Sequence, residues 1–143
     1  MSLPNIESTF SVSVKGDTTG HMYLGPFTVR AILTKREEFL ADIRRRELVG
    51  PLPEDALPTI RNNAYALSQL YARVVDAPAW WRESDSGANL HDTNVIAEVF
   101  AKSLEAAEEW RKKVSGEADK AEPVVKKAAK RAPKDEEDEA DAG

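Results

Sequence analysis

The stretch from Val74 to Phe100, VVDAPAWWRESDSGANLHDTNVIAEVF, constrains this chain most. It holds two of the three tryptophans, a proline stop at Pro78, a polar turn and the opening of a helix. Amphipathic patterns flank it on both sides, so it marks the corner where two helices meet around an aromatic cluster. Trp80 and Trp81 are neighbours in a non-helical or single-turn segment, so their side chains point to different sides. Either both rings close the helix–helix corner, or one of them anchors a partner, tryptophan being a frequent hot-spot residue. Ser84-Asp85-Ser86-Gly87 reads as a turn, and Asp92, or Asn89 for an earlier start, is the expected N-cap of the next helix.

That helix has the clearest periodicity in the chain. Val95, Ile96, Val99, Phe100, Leu104, Ala107, Trp110 and Val114 recur at spacings of three and four, with acids and bases on the other faces. Gly116 is its expected end. Before the corner, Ile60, Ala64, Leu67, Leu70 or Tyr71, and Val74 form a second stripe. It starts near 55–59, with Pro58 tolerated in the first turn, and ends at Pro78. Further upstream, Thr34-Lys35-Arg36-Glu37 is a capping box, in which the hydroxyl and the carboxylate each satisfy a backbone N–H of the first turn. The helix it opens places Phe39, Leu40, Ile43 and Leu48 on one side and stops at Gly50-Pro51. Arg44, Arg45 and Arg46 spread around its circumference among Glu37, Glu38, Asp42 and Glu47, which reads as a self-compensated face rather than a phosphate site. Pro51 to Asp55 reads as a stiff connector.

The N-terminal third has a different period. Phe10, Val12 and Val14 alternate with Thr9, Ser11 and Ser13, a half-buried strand. Lys15 to Gly20 is dense in turn formers, and His21 to Leu24 resumes in extended style. Gly25-Pro26 then reads as a bulge or bend before Phe27-Thr28-Val29. A lone hairpin is marginal in water, so this one must lean on the helices or on a partner's sheet.

The expected fold class is therefore α+β and mainly helical: an N-terminal β-hairpin, three amphipathic helices and a disordered charged C-terminal tail. The expected division is a flexible N-terminus over 1–8, one globular domain over 9–116 and a tail over 117–143. A domain of that length buries about two thirds of its unfolded surface. In the tail, Lys120 to Lys134 is basic, while Asp135 to Asp141 holds six acids in seven positions. Low hydrophobicity with segregated charge is the signature of disorder.

Composition narrows the function classes. With 143 residues, no cysteine and a net charge of -5, the chain has no disulfide or thiolate chemistry and no basic footprint for general nucleic-acid binding. The start MSLPNIESTF has neither the basic nor the apolar run of a signal peptide, and no stretch is long enough to span a membrane. A soluble, cytoplasmic protein is expected. His21 and His91 lack metal-type partners at helical spacing, the carboxylates alternate with bases on solvated faces, and no phosphate loop or nucleophile elbow occurs. The expectation is a non-enzymatic protein without a cofactor.

The segments YLGPFTVRAILTKRE, ARVVDAPAWWRES and GANLHDTNVIAEVFAKSLEAAEEWR, with the helix ending in ELVG between the first two, carry a resemblance. Over Tyr23 to Arg111 the sequence is similar to small bacteriophage morphogenesis proteins of the tail assembly chaperone type. APAWW followed by the DTNVI helix is the most particular part. The hairpin departs from the pattern, since such chaperones are expected to be mainly helical. The resemblance implies a protein that covers the apolar surface of the helical tape-measure protein, recruits tail tube subunits and leaves before the particle is finished. In that family a frameshift often makes a C-terminally extended form, for which the codons of Lys112-Lys113 or Lys126-Lys127 are candidates. Trp80, Trp81, Val95, Val99, Phe100 and Trp110 are the partner-binding candidates, and self-association into a homo-oligomer is compatible with the same surfaces. The competing reading is a virion structural component, a capsid or tail lattice protein that assembles through the hairpin edge at Phe10. A nucleic-acid role for Lys126–Lys134 is weakest, because the neighbouring acids compete for that block.

Overall fold

A computed structural model describes residues 5–50 and 57–121. The connector at 51–55, the residues before 5 and the tail beyond 121 lie outside the described residues. In chain order the elements are β1 (Glu7–Lys15), β2 (Met22–Arg30), α1 (Lys35–Val49), α2 (Pro58–Arg73), β3 (Val74–Asp76), α3 (Ala79–Glu83) and α4 (Thr93–Ala121). The fold is α+β and mainly helical. Asn5–Glu109 forms one compact unit; a second unit takes in the end of α4 from Trp110.

The period-two reading of the N-terminus holds in detail. β1 and β2 pair antiparallel from Glu7↔Arg30 to Lys15↔Met22. Val12, Phe27 and Val29 are buried on the inner face, while Thr9, Ser11 and Ser13 face outward. Phe10 stacks on its direct partner Phe27 with ring centroids 5.6 Å apart, the cross-strand unit that stabilises sheets. The strand starts at Glu7 rather than Thr9, two residues inside the stretch expected to be flexible.

Gly25-Pro26 does not break β2, which continues through both residues in register with Val12 and Ser11. The physical reason is parity. Gly16 N–H donates to the His21 carbonyl, so odd-numbered residues of β2 turn their backbone groups towards β1 and even-numbered ones turn away. Pro26 is even, and its missing N–H falls on the side where no ladder bond to β1 is needed. The sheet also has a third strand, where the sequence pattern predicts the end of a helix. Helix α2 stops at Arg73, and Val74–Asp76 pairs antiparallel with Thr28 and Val29, with an irregularity between those two. Val74 is therefore a strand residue and not the end of a helical stripe.

The capping box forms as expected. The Thr34 hydroxyl accepts from the Glu37 N–H at 3.2 Å, and the Glu37 carboxylate accepts from the Thr34 N–H at 2.8 Å. The other oxygen of Glu37 meets Arg30 at 2.9 Å, so the cap also ties α1 to β2. In α2 the buried stripe is Ala64, Leu67 and Leu70, while Ile60 and Tyr71 are exposed. In α4 the buried face is Val95, Ile96, Val99, Ser103, Ala106 and Ala107. Leu104, expected inside, is exposed, and Ser103 takes the inner position with its hydroxyl donating to the Phe100 carbonyl at 2.7 Å. Nor does Gly116 end α4, which runs on to Ala121; the roughly 1 kcal/mol that a helical glycine costs is small against the good helix formers around it. Val12, Phe27, Leu67, Leu70, Trp81, Ile96 and Val99 meet in a single core, so sheet, α2, α3 and α4 are closed over the same centre.

Candidate protein-binding surfaces

The aromatic corner is built by close approach. Pro78 lies so near Gly25 that any Cβ there would overlap its ring, and Gly25 has φ +146°. From Pro78 the single-turn helix α3 sends its two tryptophans apart, as their adjacency requires. Trp81 enters the core at 1% exposure, 5.4 Å from Phe27 in an edge-to-face contact. Trp80 lies half-buried against Tyr23 and Phe27, at 5.0 and 5.6 Å. Its indole N–H donates to the Leu24 carbonyl at 2.9 Å. Both rings close the corner.

The turn after α3 is left-handed at three successive residues: Asp85, Ser86 and Gly87 have φ of 55°, 53° and 88°. Glycine is required at the third, since a Cβ on Gly87 would lie 2.6 Å from the Trp81 ring. Arg44 of α1 anchors this turn. Its guanidinium sits 4.8 Å above the Tyr71 ring and reaches both the carbonyl and the carboxylate of Asp85 at 3.0 Å. Arg45 and Arg46 instead pair with Asp42 on their own helix. The triple arginine thus divides into one tertiary anchor and a local, compensated pair.

Asp92 occupies the N-cap position of α4, where its carbonyl accepts from Val95 N–H, but its carboxylate serves the hairpin. It is fully buried and accepts from the N–H groups of Thr18 and Thr19 at 2.7 and 2.8 Å, from the Thr19 hydroxyl at 2.6 Å and from the Tyr23 hydroxyl at 2.7 Å. Burial works against its ionisation, but the hydrogen bonds from Thr19, Tyr23 and Thr18 outweigh it and hold the carboxyl well below its ordinary range. The same bond to Asp92 raises the Tyr23 hydroxyl above its usual value. Two residues on, the Asn94 side chain accepts from Asp17 N–H at 2.9 Å and donates to the Lys15 carbonyl at 2.8 Å. These hydrogen bonds tie the start of α4 to the hairpin turn and to Tyr23 of β2, so the cluster clamps the hairpin. His21 and His91 are exposed, and among the described residues no three potential metal ligands converge.

The six residues singled out for partner binding separate into two groups. Trp81, Val95 and Val99 are closed inside the core and could meet a partner only if the domain opened. Trp80, Phe100 and Trp110 are half-buried, Phe100 in edge-to-face contact with Tyr65 at 6.1 Å. Within the Asn5–Glu109 unit the five candidates other than Trp110 do not form one surface, since three of them are enclosed.

A different apolar surface stands on α1. Phe39, Leu40 and Ile43, expected to face the core, are 67%, 48% and 50% exposed. Helix α1 buries Ala41 and partly buries Arg44, Arg45 and Leu48 instead. Positions 41, 44, 45 and 48 share one helical face, just as 39, 40 and 43 share another. Leu48 belongs to the inner face and not with Phe39, Leu40 and Ile43, and the arginine anchored by Tyr71 and Asp85 decides which face turns inward. No protein-family model, curated protein or solved structure matches this chain.

Proposed function

We propose that the protein is a non-enzymatic assembly factor of bacteriophage morphogenesis, a tail assembly chaperone that shields the tape-measure protein and aids tail tube assembly in the host cytoplasm. One observation carries the reading: a folded domain that buries Trp81 and Phe27 completely leaves Phe39, Leu40 and Ile43 of α1 to solvent. An apolar helix face of that kind suits a partner that is itself a helix with an apolar stripe, laid alongside it. The residue resemblance over Tyr23 to Arg111 supplies the phage context. No helix among the described residues is long and apolar enough to cross a membrane.

A second reading, a virion lattice component, is favoured by the sheet order β1-β2-β3, which leaves β1 on an edge. Mass spectrometry of purified mature particles beside the infected-cell lysate separates the two. Abundance in the lysate with absence from the particle is the result expected of a chaperone. A fixed copy number in the particle would sink that reading and leave the lattice protein.

A further inference from the structure

Natural sheets guard their edges, and this one guards only one side. On the side of β2 away from β1, Pro26 has no N–H, the Leu24 carbonyl is taken by the Trp80 indole, and β3 pairs with Thr28 and Val29. On β1 the parity set by the Gly16–His21 bond turns the backbone groups of Glu7, Thr9, Ser11, Ser13 and Lys15 outward. Only the two ends are occupied: the Glu7 N–H donates to the Asn5 side chain at 3.1 Å, and the Lys15 carbonyl accepts from Asn94 of α4 at 2.8 Å. From Glu7 to Ser13 the edge carries no proline, no bulge and no inward-pointing charge, the devices that normally blunt an edge. Among the described residues β1 pairs with β2 alone.

We propose that a second copy of this chain docks on that edge, β1 against β1, antiparallel, with the two-fold axis at Phe10. The edge is complementary to itself in this register. Glu7 lies opposite the partner's Ser13, and Thr9 opposite the partner's Ser11, so all outward N–H and C=O groups from Glu7 to Ser13 find mates once the Glu7 N–H exchanges the neighbouring Asn5 side chain for the carbonyl of the partner's Ser13. Phe10 faces the partner's Phe10 at a non-hydrogen-bonded position, where side chains approach most closely. Phe10 and Val14 are only half-buried in the single chain, and the added strand extends the inner face over Phe10. Glu7 and the partner's Lys15 become diagonal neighbours of opposite charge on the outer face, within reach of long side chains. A register centred on Ser11 is less favourable because it also needs the Lys15 carbonyl, which Asn94 holds across the fold, whereas the register centred on Phe10 displaces only the local side chain of Asn5. The pairing uses no residue of the α1 face and does not depend on the chaperone reading. Being isologous, it closes as a six-stranded dimer rather than propagating as a lattice.

The full chain is examined by light scattering behind size exclusion across a dilution series. A species of twice 15.8 kDa that dissociates on dilution is expected. Ser11→Pro removes an outward N–H without touching the ladder to β2, so the variant is expected at 15.8 kDa with unchanged circular dichroism. Register is read by mixing chains that carry Thr9→Cys with chains that carry Ser11→Cys, since the protein has no cysteine of its own. Oxidation is expected to give the mixed disulfide in preference to either symmetric one, a readout that holds even where Ser11→Pro disturbs folding. A wild-type chain that stays monomeric at every concentration, a dimer that survives Ser11→Pro, or symmetric Ser11→Cys cross-links in preference to mixed ones would each overturn the proposal.

Discussion

The Asp92 carboxylate fills the space left by the missing side chain of Gly16. A Cβ on Gly16 would overlap the carboxylate carbon and both oxygens. Gly16 is not in the left-handed region, so its requirement is steric. Ordinarily glycine to alanine at such a backbone stabilises slightly by restricting the unfolded chain. Gly16→Ala is expected instead to cost about 1–3 kcal/mol, the usual range for overpacking. Urea unfolding would measure it, and a neutral or stabilising outcome would mean the clamp can shift.

Acid should release the clamp. Asp92 titrates lower in the folded chain than in the unfolded one, where its value is the ordinary 3.8. The unfolded state therefore binds protons first, and stability rises with pH through this range. The contribution is fully present above the unfolded value and is lost as pH falls from there towards the folded value. Asp92→Asn should be less stable than wild type at neutral pH, and its stability should fall less between pH 5 and 2 (about the span of such a carboxylate). Parallel acid profiles for the two proteins would show that other carboxylates dominate.

Loss of the Thr34 hydroxyl leaves a first-turn N–H of α1 without its cap. Thr34→Ala is expected to destabilise by about 1 kcal/mol, with Ser at the same position close to neutral. Chemical denaturation of the three proteins would test this ordering.

The two apolar sets should respond oppositely to substitution. Phe39→Ser and Ile43→Ser lie on the exposed face of α1 and should change stability by no more than about 0.5 kcal/mol. On the proposed chaperone role, both should abolish solubilisation of a co-expressed tape-measure protein. Trp81→Ala, at 1% exposure, should cost about 3–5 kcal/mol. If the α1 variants unfold the domain, the face is structural; if they fold and still solubilise the partner, it is not the docking surface.

Much of this was readable from local pattern. The alternation of Phe10, Val12 and Val14, the Thr34–Glu37 box and the adjacency of Trp80 and Trp81 each rest on the geometry of a few consecutive residues. What escaped depends on distant partners. Val74-Val75-Asp76 continues the spacing of α2 and becomes a strand only because β2 offers Thr28 and Val29 an open side. Leu104 and Ser103 both fit the α4 pattern, and the rotation of the helix against its neighbours decides between them. On α1, apolarity pointed to Phe39 and Ile43, whereas the deciding contact is an arginine over Tyr71. Asp92 could be recognised as a cap from its place before the helix. Nothing near it announced the hairpin turn that its carboxylate holds.

The hydrogen bonds from the turn to Asp92 and Asn94 span 73 to 79 residues of chain. During synthesis β1 and β2 leave the ribosome long before the residues that lock their turn exist. An isolated hairpin is marginal, and contacts of such separation come late because the closure of a long loop precedes any gain from them. The hairpin, made before the helices that hold it, is thus among the last elements to be secured, and the domain must complete itself after residue 94 has emerged. Until then the uncovered edge of β1 is open to whatever strand the cell presents, and the start of α4 sets how long that interval lasts.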